Sequence, residues 1–420
     1  MKKVLPFIAP LIFIASTLAA QSAITVESIK TINVSAFTAE IVQYCKSENL
    51  LAVTNPHWKT LDLYQLDDPA NPKLIEFDYD DELPGNQGPF TVYEPTSVAI
   101  HPQLPVAFVA VLSRQIGEPG RVIAFDLRAS SRGKWLLNQT VGQHPDSIAI
   151  SPDGKYAIIA CEAEGHPETE ASIQLIDLTS FDLNRTAADP DLPLLTLADL
   201  DKHLGRPLGI IEPEFVAIDP QSRFAAVTCQ ENDAVVLVNL QGKPQIAIAS
   251  ALSINSGPDG LDIIDNVLHP NNPNRIGCLI AIAEEGNFDK LGNLGGQSCQ
   301  LIWVDPNNLN HDPVFLKRID IRPDISAKKP TKRREPEAVK LARLGSRMIA
   351  VVAAERGDCL VVYDITNPLA PVFIAKAEVG DRPEGLTLHR INDHSLIAIT
   401  GDEGKYGPGT ISFVRISANP

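Results

Sequence analysis

The sequence lacks the features that mark helical, membrane-spanning and nucleic-acid-binding proteins. Methionine occurs only 2 times and aromatic residues make up 6% of the 420 positions, whereas proline (33) and glycine (26) are frequent. Beyond the first twenty residues, no apolar run reaches the ~18 residues that a membrane-spanning helix needs. Basic residues number 36 against 52 acidic ones, so the net charge is −16. An acidic surface repels phosphate backbones, and we therefore expect short strands joined by turns, no nucleic-acid partner and no membrane span in the mature chain.

The first residues have the pattern of an export signal. Met1–Lys3 is basic, Val4–Ala20 is uncharged and mostly apolar, and small residues suited to signal-peptidase cleavage surround the end of this run. This order predicts a signal peptide over residues 1–23, with a membrane anchor as the alternative. We therefore expect a secreted or periplasmic bacterial protein, or one associated with the cell surface.

Six cysteines are present, and none belongs to a Cys-x-x-Cys motif, which disfavours a zinc knuckle or a thioredoxin-like site. An exported chain enters a compartment that permits disulfides, so these residues are either buried free thiols or disulfide partners. Among the pairs we favour Cys278–Cys299, which flank one loop of a single repeat. Cys161 and Cys229 occupy equivalent positions in successive repeats, and we expect their Cα atoms to lie too far apart for a bridge.

A turn motif followed by an apolar strand recurs along the chain. Most copies contain proline followed by an acidic residue, as in Glu212-Pro213-Glu214 and Arg382-Pro383-Glu384. The seven copies are centred on Glu40, Thr96, Asp146, Glu214, Asp259, Glu337 and Glu384. The shortest spacings between copies are close to the ~40–50 residues of a propeller blade.

Further short strands follow the first strand of each repeat. The third strand of the repeat often ends in an Asp or Asn, as in Leu175-Ile176-Asp177. Four strands in each of seven repeats predict an all-β protein in which residues 24–420 form one seven-bladed β-propeller. After the last motif only three strands remain. We predict that residues 28–34 supply the missing outer strand and close the ring. A β-sandwich with a second domain is the alternative fold.

The repeats place many carboxylates on one face. The turn before the first strand and the loop after the second strand of a blade lie on the same face of a propeller, and both are acidic here. The candidate metal ligands are Glu40, Asp146, Glu214, Asp259, Glu337 and Glu384 at the turns, with Glu231, Glu284, Glu285 and Glu355 in the loops. Calcium takes 6–8 oxygen ligands and suits such a mouth. The alternative is that these residues only shape the turns.

Several segments carry a family resemblance: Glu212–Ile218, Gln230–Ala234, Gly257–Gly260, Arg334–Ala338 and Arg382–Leu386. Together they resemble the choice-of-anchor I domain of bacterial surface proteins, over roughly residues 30–417. That family is similar to mesenchyme-specific cell-surface glycoproteins linked to biomineralisation. The resemblance implies a propeller displayed outside the cell without a secure enzymatic activity, although some relatives carry a phosphatase label.

Two classes of function follow from these observations. The first is a secreted or periplasmic binding propeller, expected to be a monomer, whose acidic face binds Ca²⁺ or a protein or cell-surface ligand. The second is a metal-dependent hydrolase, a phosphoesterase or lactonase, that uses the same mouth. Glu214 or Glu337 would then hold the metal, and His144 or His166 would act as a base toward a bound water. No Gly-x-Ser-x-Gly, His-Glu-x-x-His or phosphate-loop motif is present, which favours the binding protein.

Overall fold

A computed structural model describes residues 24–34, 38–68, 74–77, 94–113, 115, 117–163, 169–288, 294–325, 333–405 and 408–419. The predicted signal peptide, residues 1–23, lies outside the described residues, as do Glu164 and His166. Among the described residues, no helix is long and apolar enough to cross a membrane.

The described residues form seven four-stranded antiparallel sheets, which are the blades of a β-propeller. Blade 1 contains β2 (Val42–Cys45), β3 (Leu50–Asn55), β4 (Thr60–Leu66) and β5 (Leu74–Phe77). Blade 2 contains β6 (Glu94–Ile100), β7 (Val106–Leu112), β8 (Pro119–Asp126) and β9 (Trp135–Gln143). Blade 3 contains β10 (Pro145–Ile150), β11 (Tyr156–Cys161), β12 (Ser172–Asp177) and β13 (Leu194–Thr196). Blade 4 contains β14 (Pro213–Ile218), β15 (Phe224–Cys229), β16 (Ala234–Asn239) and β17 (Gln245–Ala251).

The remaining three blades have the same order of strands from the axis outwards. Blade 5 contains β18 (Pro258–His269), β19 (Asn272–Glu284), β20 (Ser298–Val304) and β21 (Val314–Asp320). Blade 6 contains β22 (Pro336–Leu344), β23 (Arg347–Ala354), β24 (Cys359–Asp364) and β25 (Val372–Glu378). Blade 7 contains β26 (Pro383–Asn392), β27 (Ser395–Asp402), β28 (Thr410–Ala418) and β1 (Ile24–Asn33). The predicted seven-bladed propeller is therefore confirmed.

The N-terminal strand closes the ring, as the sequence predicts. β1 pairs antiparallel with β28, from Ile24 opposite Ala418 to Asn33 opposite Thr410, and so becomes the outer strand of blade 7. The observed strand begins four residues before the predicted segment 28–34 and ends one residue before its end. Its apolar side chains pack on both neighbouring cores, and β28 is no longer an open edge.

One apolar core lies between each pair of adjacent blades. Because successive side chains of a strand point to opposite faces, each middle strand contributes to two cores. In β15, Ala225 and Val227 pack toward blade 3, whereas Phe224 and Ala226 pack toward blade 5. This two-sided burial explains why the second and third strands are almost continuously apolar, and it fixes the blades around a common axis.

The same alternation contradicts the preferred disulfide. All six cysteines are buried and free. Cys278 lies opposite Val304 and packs in the core between blades 4 and 5. Cys299 lies opposite Ala283 and packs in the core between blades 5 and 6. The two thiols therefore point to opposite faces of one sheet, and the expectation that they pair was wrong.

Candidate functional site: a ring of carboxylates on the propeller axis

Six of the seven inner strands begin with a β-bulge that turns one side chain toward the axis. In blade 3, Pro145 pairs with Cys161 and Ser147 pairs with Ala160, so Asp146 has no partner across the ladder. The same shift follows the first proline of every inner strand from blade 2 to blade 7. A bulge can redirect a side chain, and here it presents the residue after the proline to the central channel.

These residues line one cavity of about 180 Å³. Six of the seven blades contribute an acid, and we call this set the carboxylate ring: Glu40, Asp146, Glu214, Asp259, Glu337 and Glu384. Thr96 takes the seventh position, and its hydroxyl donates to the backbone oxygen of Pro145, 2.6 Å away in the next blade. The six turn residues that the sequence singled out as candidate ligands are therefore brought together.

A repeated hydrogen bond defines a second tier of five residues, four of them acids. In five blades the residue that follows the second strand donates its N–H to the carbonyl before the inner-strand proline. We call the residues at this position the upper tier: Glu162, Gln230, Glu285, Glu355 and Glu403. The sequence analysis included Glu285 and Glu355 but chose Glu231 and Glu284, each of which is one residue away from the repeating position.

The structure gives Glu231 and Glu284 other surroundings. Glu284 is fully buried, accepts a hydrogen bond from Ser298 at 2.5 Å and forms an ion pair with Arg318 at 2.7 Å. Glu231 is exposed and accepts a hydrogen bond from Asn287 at 3.2 Å. Neither residue lines the central cavity among the described residues.

Arginines balance the upper tier between blades 6 and 7. Glu355 forms ion pairs with Arg382 and with Arg356, the latter at 3.3 Å. Arg356 also pairs with Glu335, and Arg382 also pairs with Glu403. The oxygens of Glu335, Glu337 and Glu355 lie within 4.8 Å of one another, but the protein itself supplies the cations there.

Two three-residue groups differ from this arrangement. Asp259, Glu285 and Glu337 bring three carboxylate oxygens within 4.8 Å of one another, which is an all-oxygen donor set. His144, Asp146 and Glu162 form the other group, with His144 Nδ1 2.6 Å from Glu162 Oε1.

His166, the second histidine that the sequence analysis names as a possible base, lies outside the described residues.

Lys340 is the lining residue that sequence reasoning missed. Its ammonium lies 4.0 Å from Asp262 and 5.5 Å from the ring centroid of Phe215. Among the described residues that line the cavity, it is the one basic side chain, set against six acids. The only sequence signal was its place three residues after Glu337, and no other repeat has a lysine there.

Burial and mutual repulsion raise the pKa values of five acids of the ring. The pKa of Glu40 rises to about 8, first because of desolvation and then because of the negative charges of Glu403, Asp146 and Glu94. Desolvation also raises the pKa values of Glu214, Asp259, Glu337 and Glu384 well above the ordinary range, and neighbouring carboxylates add to each shift. Without a cation, these shifts oppose full ionisation of the ring.

Exposed apolar side chains lie on the same face of the propeller as the carboxylate ring. Trp58, Ile210, Ile254 and Phe288 are 46–82% exposed and lie in loops that enter a first strand or leave a second one. The guanidinium of Arg333 lies 4.4 Å from the ring centroid of Phe288. The face thus combines an acidic centre with exposed apolar side chains.

The family model of the choice-of-anchor I domain matches residues 40–269. This match covers more than half of the chain and includes the repeats of blades 1 to 4 and all of β18. No curated protein matches the sequence.

Several solved structures share the fold at low sequence identity. Hydrazine synthase of Kuenenia stuttgartiensis is 12% identical with a TM-score of 0.58, over 90% of this chain and 96% of that one. The periplasmic gluconolactonase of Pseudomonas aeruginosa is 15% identical with a TM-score of 0.52, over 94% and 100%. A catalytically inactive virginiamycin B lyase of Staphylococcus aureus with quinupristin is 12% identical with a TM-score of 0.53, over 94% and 99%. These likenesses concern the fold alone.

Proposed function

Because the chain belongs to the choice-of-anchor I domain family, we propose that it is an exported binding propeller whose carboxylate ring holds a divalent cation, with calcium as the ion that fits best. Its place of action is the periplasm, the medium or the cell surface. Its role is binding rather than catalysis, and the cation prepares the acidic face for a protein or cell-surface ligand.

The observation that carries this proposal is the charge imbalance inside the cavity. Six acids converge on one axis, and Lys340 is the single basic side chain among the described lining residues. Carboxylates that converge in one cavity repel one another, so they either keep protons or need a counter-ion. A divalent cation supplies that counter-charge without requiring any rearrangement of the blades.

Calcium is favoured because the donors on one side of the ring are all oxygens. Asp259, Glu285 and Glu337 offer three carboxylate oxygens within 4.8 Å of one another, and the channel gives access to water. Calcium prefers 6–8 oxygen ligands at 2.3–2.6 Å and accepts flexible geometry, whereas magnesium needs a stricter octahedron. The remaining coordination positions would be completed by water and by neighbouring acids of the ring.

The exposed apolar side chains support a macromolecular partner on the same face. Trp58, Ile254 and Phe288 lie on the face that holds the acidic ring, and aromatic residues are enriched at protein interfaces. A bound cation lowers the negative potential of this face. We therefore expect partner binding to depend on calcium.

Thermal unfolding with and without millimolar calcium tests the cation. We expect calcium, more than magnesium, to raise the melting temperature by several degrees. A ligand present at a concentration 100-fold above its Kd adds about 2.7 kcal/mol to the free energy of unfolding. The double variant Glu214→Gln, Glu337→Gln should lose the shift. Glu378→Gln, on the exposed outer strand of blade 6, is the matched control and should keep it. If the wild type gives no calcium response and is purified without metal, the proposal is wrong and the acids only shape the turns.

A metal-dependent phosphoesterase or lactonase remains the second candidate. It is favoured by the His144–Glu162 pair at 2.6 Å beside the ring, where a base could stand next to a metal-bound water. Hydrolysis of phosphoester and lactone substrates that requires calcium and is abolished by EDTA would support this candidate over the binding protein.

A further inference from the structure

We propose that His144, Asp146, Glu162 and Glu214 form a separate site for a late first-row divalent ion such as Zn²⁺. This site goes beyond the calcium proposal, because it uses a nitrogen donor and its occupancy does not require calcium elsewhere in the ring. It lies between blades 3 and 4, whereas the all-oxygen group of Asp259, Glu285 and Glu337 lies between blades 5 and 6.

The first three residues already have the spacing of a metal site. One ligand atom from each of His144, Asp146 and Glu162 lies within 4.8 Å of the other two. A zinc ion at ~2.0–2.1 Å from each donor would place neighbouring donors ~3.3 Å apart, by tetrahedral geometry. His144 Nδ1 and Glu162 Oε1 are now 2.6 Å apart, so they need to separate by less than 1 Å.

A buried oxygen of Glu214 indicates that this group is incomplete. Among the described residues, Glu214 Oε2 is shielded from solvent and has no hydrogen-bond partner. Glu214 lines the same cavity as Asp146. A buried carboxylate oxygen without a partner is costly, and a metal ion shared with Asp146 would satisfy it.

The pseudo-symmetry of the propeller leads independently to the same fourth ligand. The all-oxygen group combines the ring acid and the upper-tier acid of blade 5 with the ring acid of the next blade, Glu337. The equivalent residues of blade 3 are Asp146 and Glu162, and the ring acid of the next blade is Glu214. Blade 3 differs at one position: His144 stands where blade 5 has Gly257.

Blade 6 shows why an added cation is needed in blade 3. The equivalents of His144, Asp146 and Glu162 are Glu335, Glu337 and Glu355, which also cluster within 4.8 Å. There Arg356 pairs with both Glu335 and Glu355.

The position of Arg356 is occupied in blade 3 by Ala163. The protein therefore supplies a guanidinium in blade 6 and places an imidazole at the corresponding group in blade 3.

The donor set selects the class of metal. Imidazole suits Zn²⁺, Co²⁺ and related ions, whereas Ca²⁺ and Mg²⁺ prefer oxygen alone. One imidazole with three carboxylates is sufficient for a four-coordinate site. We therefore expect this group to discriminate against calcium by its chemistry.

The backbone conformation at His144 permits a variant that removes the imidazole without straining the turn. His144 has a φ of 41°, in the left-handed region, and the equivalent Gly257 has a φ of 50°. Because glycine adopts this region without strain, His144→Gly removes the imidazole while retaining the turn. Glu162→Gln is the second variant and removes a carboxylate charge without altering a strained position. His203→Gln, on the exposed helix Leu200–Leu204, is the matched control.

The experiment is a titration of the purified full mature protein with Co²⁺, followed by visible absorption and by competition with Zn²⁺. We expect about one equivalent of Co²⁺ to bind with d–d bands typical of mixed nitrogen and oxygen ligands, and Zn²⁺ to abolish them. His144→Gly and Glu162→Gln should each weaken Co²⁺ binding at least tenfold, whereas His203→Gln should bind like the wild type.

Two results would overturn the proposal: no stoichiometric Co²⁺ binding by the wild type, or unchanged affinity in both His144→Gly and Glu162→Gln. The calcium response of the same variants separates this site from the proposed function. We expect His144→Gly to keep the calcium-induced rise in melting temperature. Glu337→Gln should lose that rise and keep Co²⁺ binding.

Discussion

Asp259 and Glu337, from the inner strands of neighbouring blades, each bring a carboxylate oxygen to within 4.8 Å of the other in the cavity on the propeller axis. Burial raises the pKa values of both carboxyls, which favours protonation of the pair when no cation is bound. The pair therefore links the acidic ring to both pH and metal occupancy.

Stability should fall as pH rises, and Glu40 gives the clearest test. Its pKa is raised from 4.5 to about 8, so between these values the folded chain holds a proton that the unfolded chain has lost. The free energy of unfolding therefore decreases as pH rises toward 8. In EDTA at pH 8, the free energy of unfolding of Glu40→Gln should exceed that of the wild type by about 2 kcal/mol. This value is smaller than the full pKa shift implies, because solvent in the cavity screens the charge.

Urea unfolding at pH 6 and pH 8 measures this effect. Glu378→Gln, which changes an exposed acid on β25, should leave the difference between the two pH values unchanged. A Glu40→Gln protein that has the same pH dependence as the wild type would show that Glu40 titrates normally.

Arg318 should be essential to stability because it neutralises Glu284. Glu284 is fully buried and pairs with Arg318 at 2.7 Å. Arg318→Ala leaves a buried carboxylate without its cation, and we expect a loss of about 3 kcal/mol in the free energy of unfolding. Arg322→Ala, which breaks the exposed pair with Asp320, should cost less than about 1 kcal/mol. Equal losses in the two variants, measured by urea denaturation, would contradict this assignment.

The N-terminal strand should contribute strongly to stability. Removing residues 24–33 exposes the whole edge of β28 and uncovers apolar side chains such as Ile24 and Val26. We expect the melting temperature to fall by on the order of 10 °C. The comparison is a chain that begins at residue 24, measured by circular dichroism or calorimetry. Equal melting temperatures would mean that β1 does not close the ring.

The six cysteines should remain reduced and unreactive in the native protein. All are buried, and burial raises the pKa of Cys161 to about 12, so the reactive thiolate is rare. A thiol reagent should label close to none of the six in the native state and all six in denaturant. Peptide mapping without reductant should reveal no Cys278–Cys299 bridge. Finding that bridge would contradict the opposite orientation of the two side chains.

The ring could be predicted because it depends on repetition, whereas other parts depend on single contacts. Equivalent residues such as Asp146 and Glu214 recur in register, and rotation about an axis turns equivalent positions into a circle. Lys340 occurs once, so no repeat indicates that it faces the cavity. The assignment of Glu284 as a candidate ligand was displaced by one residue. Glu285 follows the strand end and belongs to the upper tier, whereas Glu284 pairs with Arg318.

Local sequence does not identify the outer strand of blade 3. Leu194–Thr196 forms β13, and the same leucine-rich segment continues into a short helix, Leu200–Leu204. β13 pairs with β12, with Thr196 opposite Gln174. Pairing with β12 makes this segment the fourth strand of blade 3, and that pairing partner is not apparent from the local sequence.

The most direct test of the account is anomalous scattering from a crystal grown with calcium. We predict a calcium peak inside the carboxylate ring, ~2.3–2.6 Å from carboxylate oxygens of Asp259 and Glu337. The same crystal form of Glu337→Gln should lack the peak. A calcium-saturated wild-type crystal with no ion in the cavity would contradict the central claim.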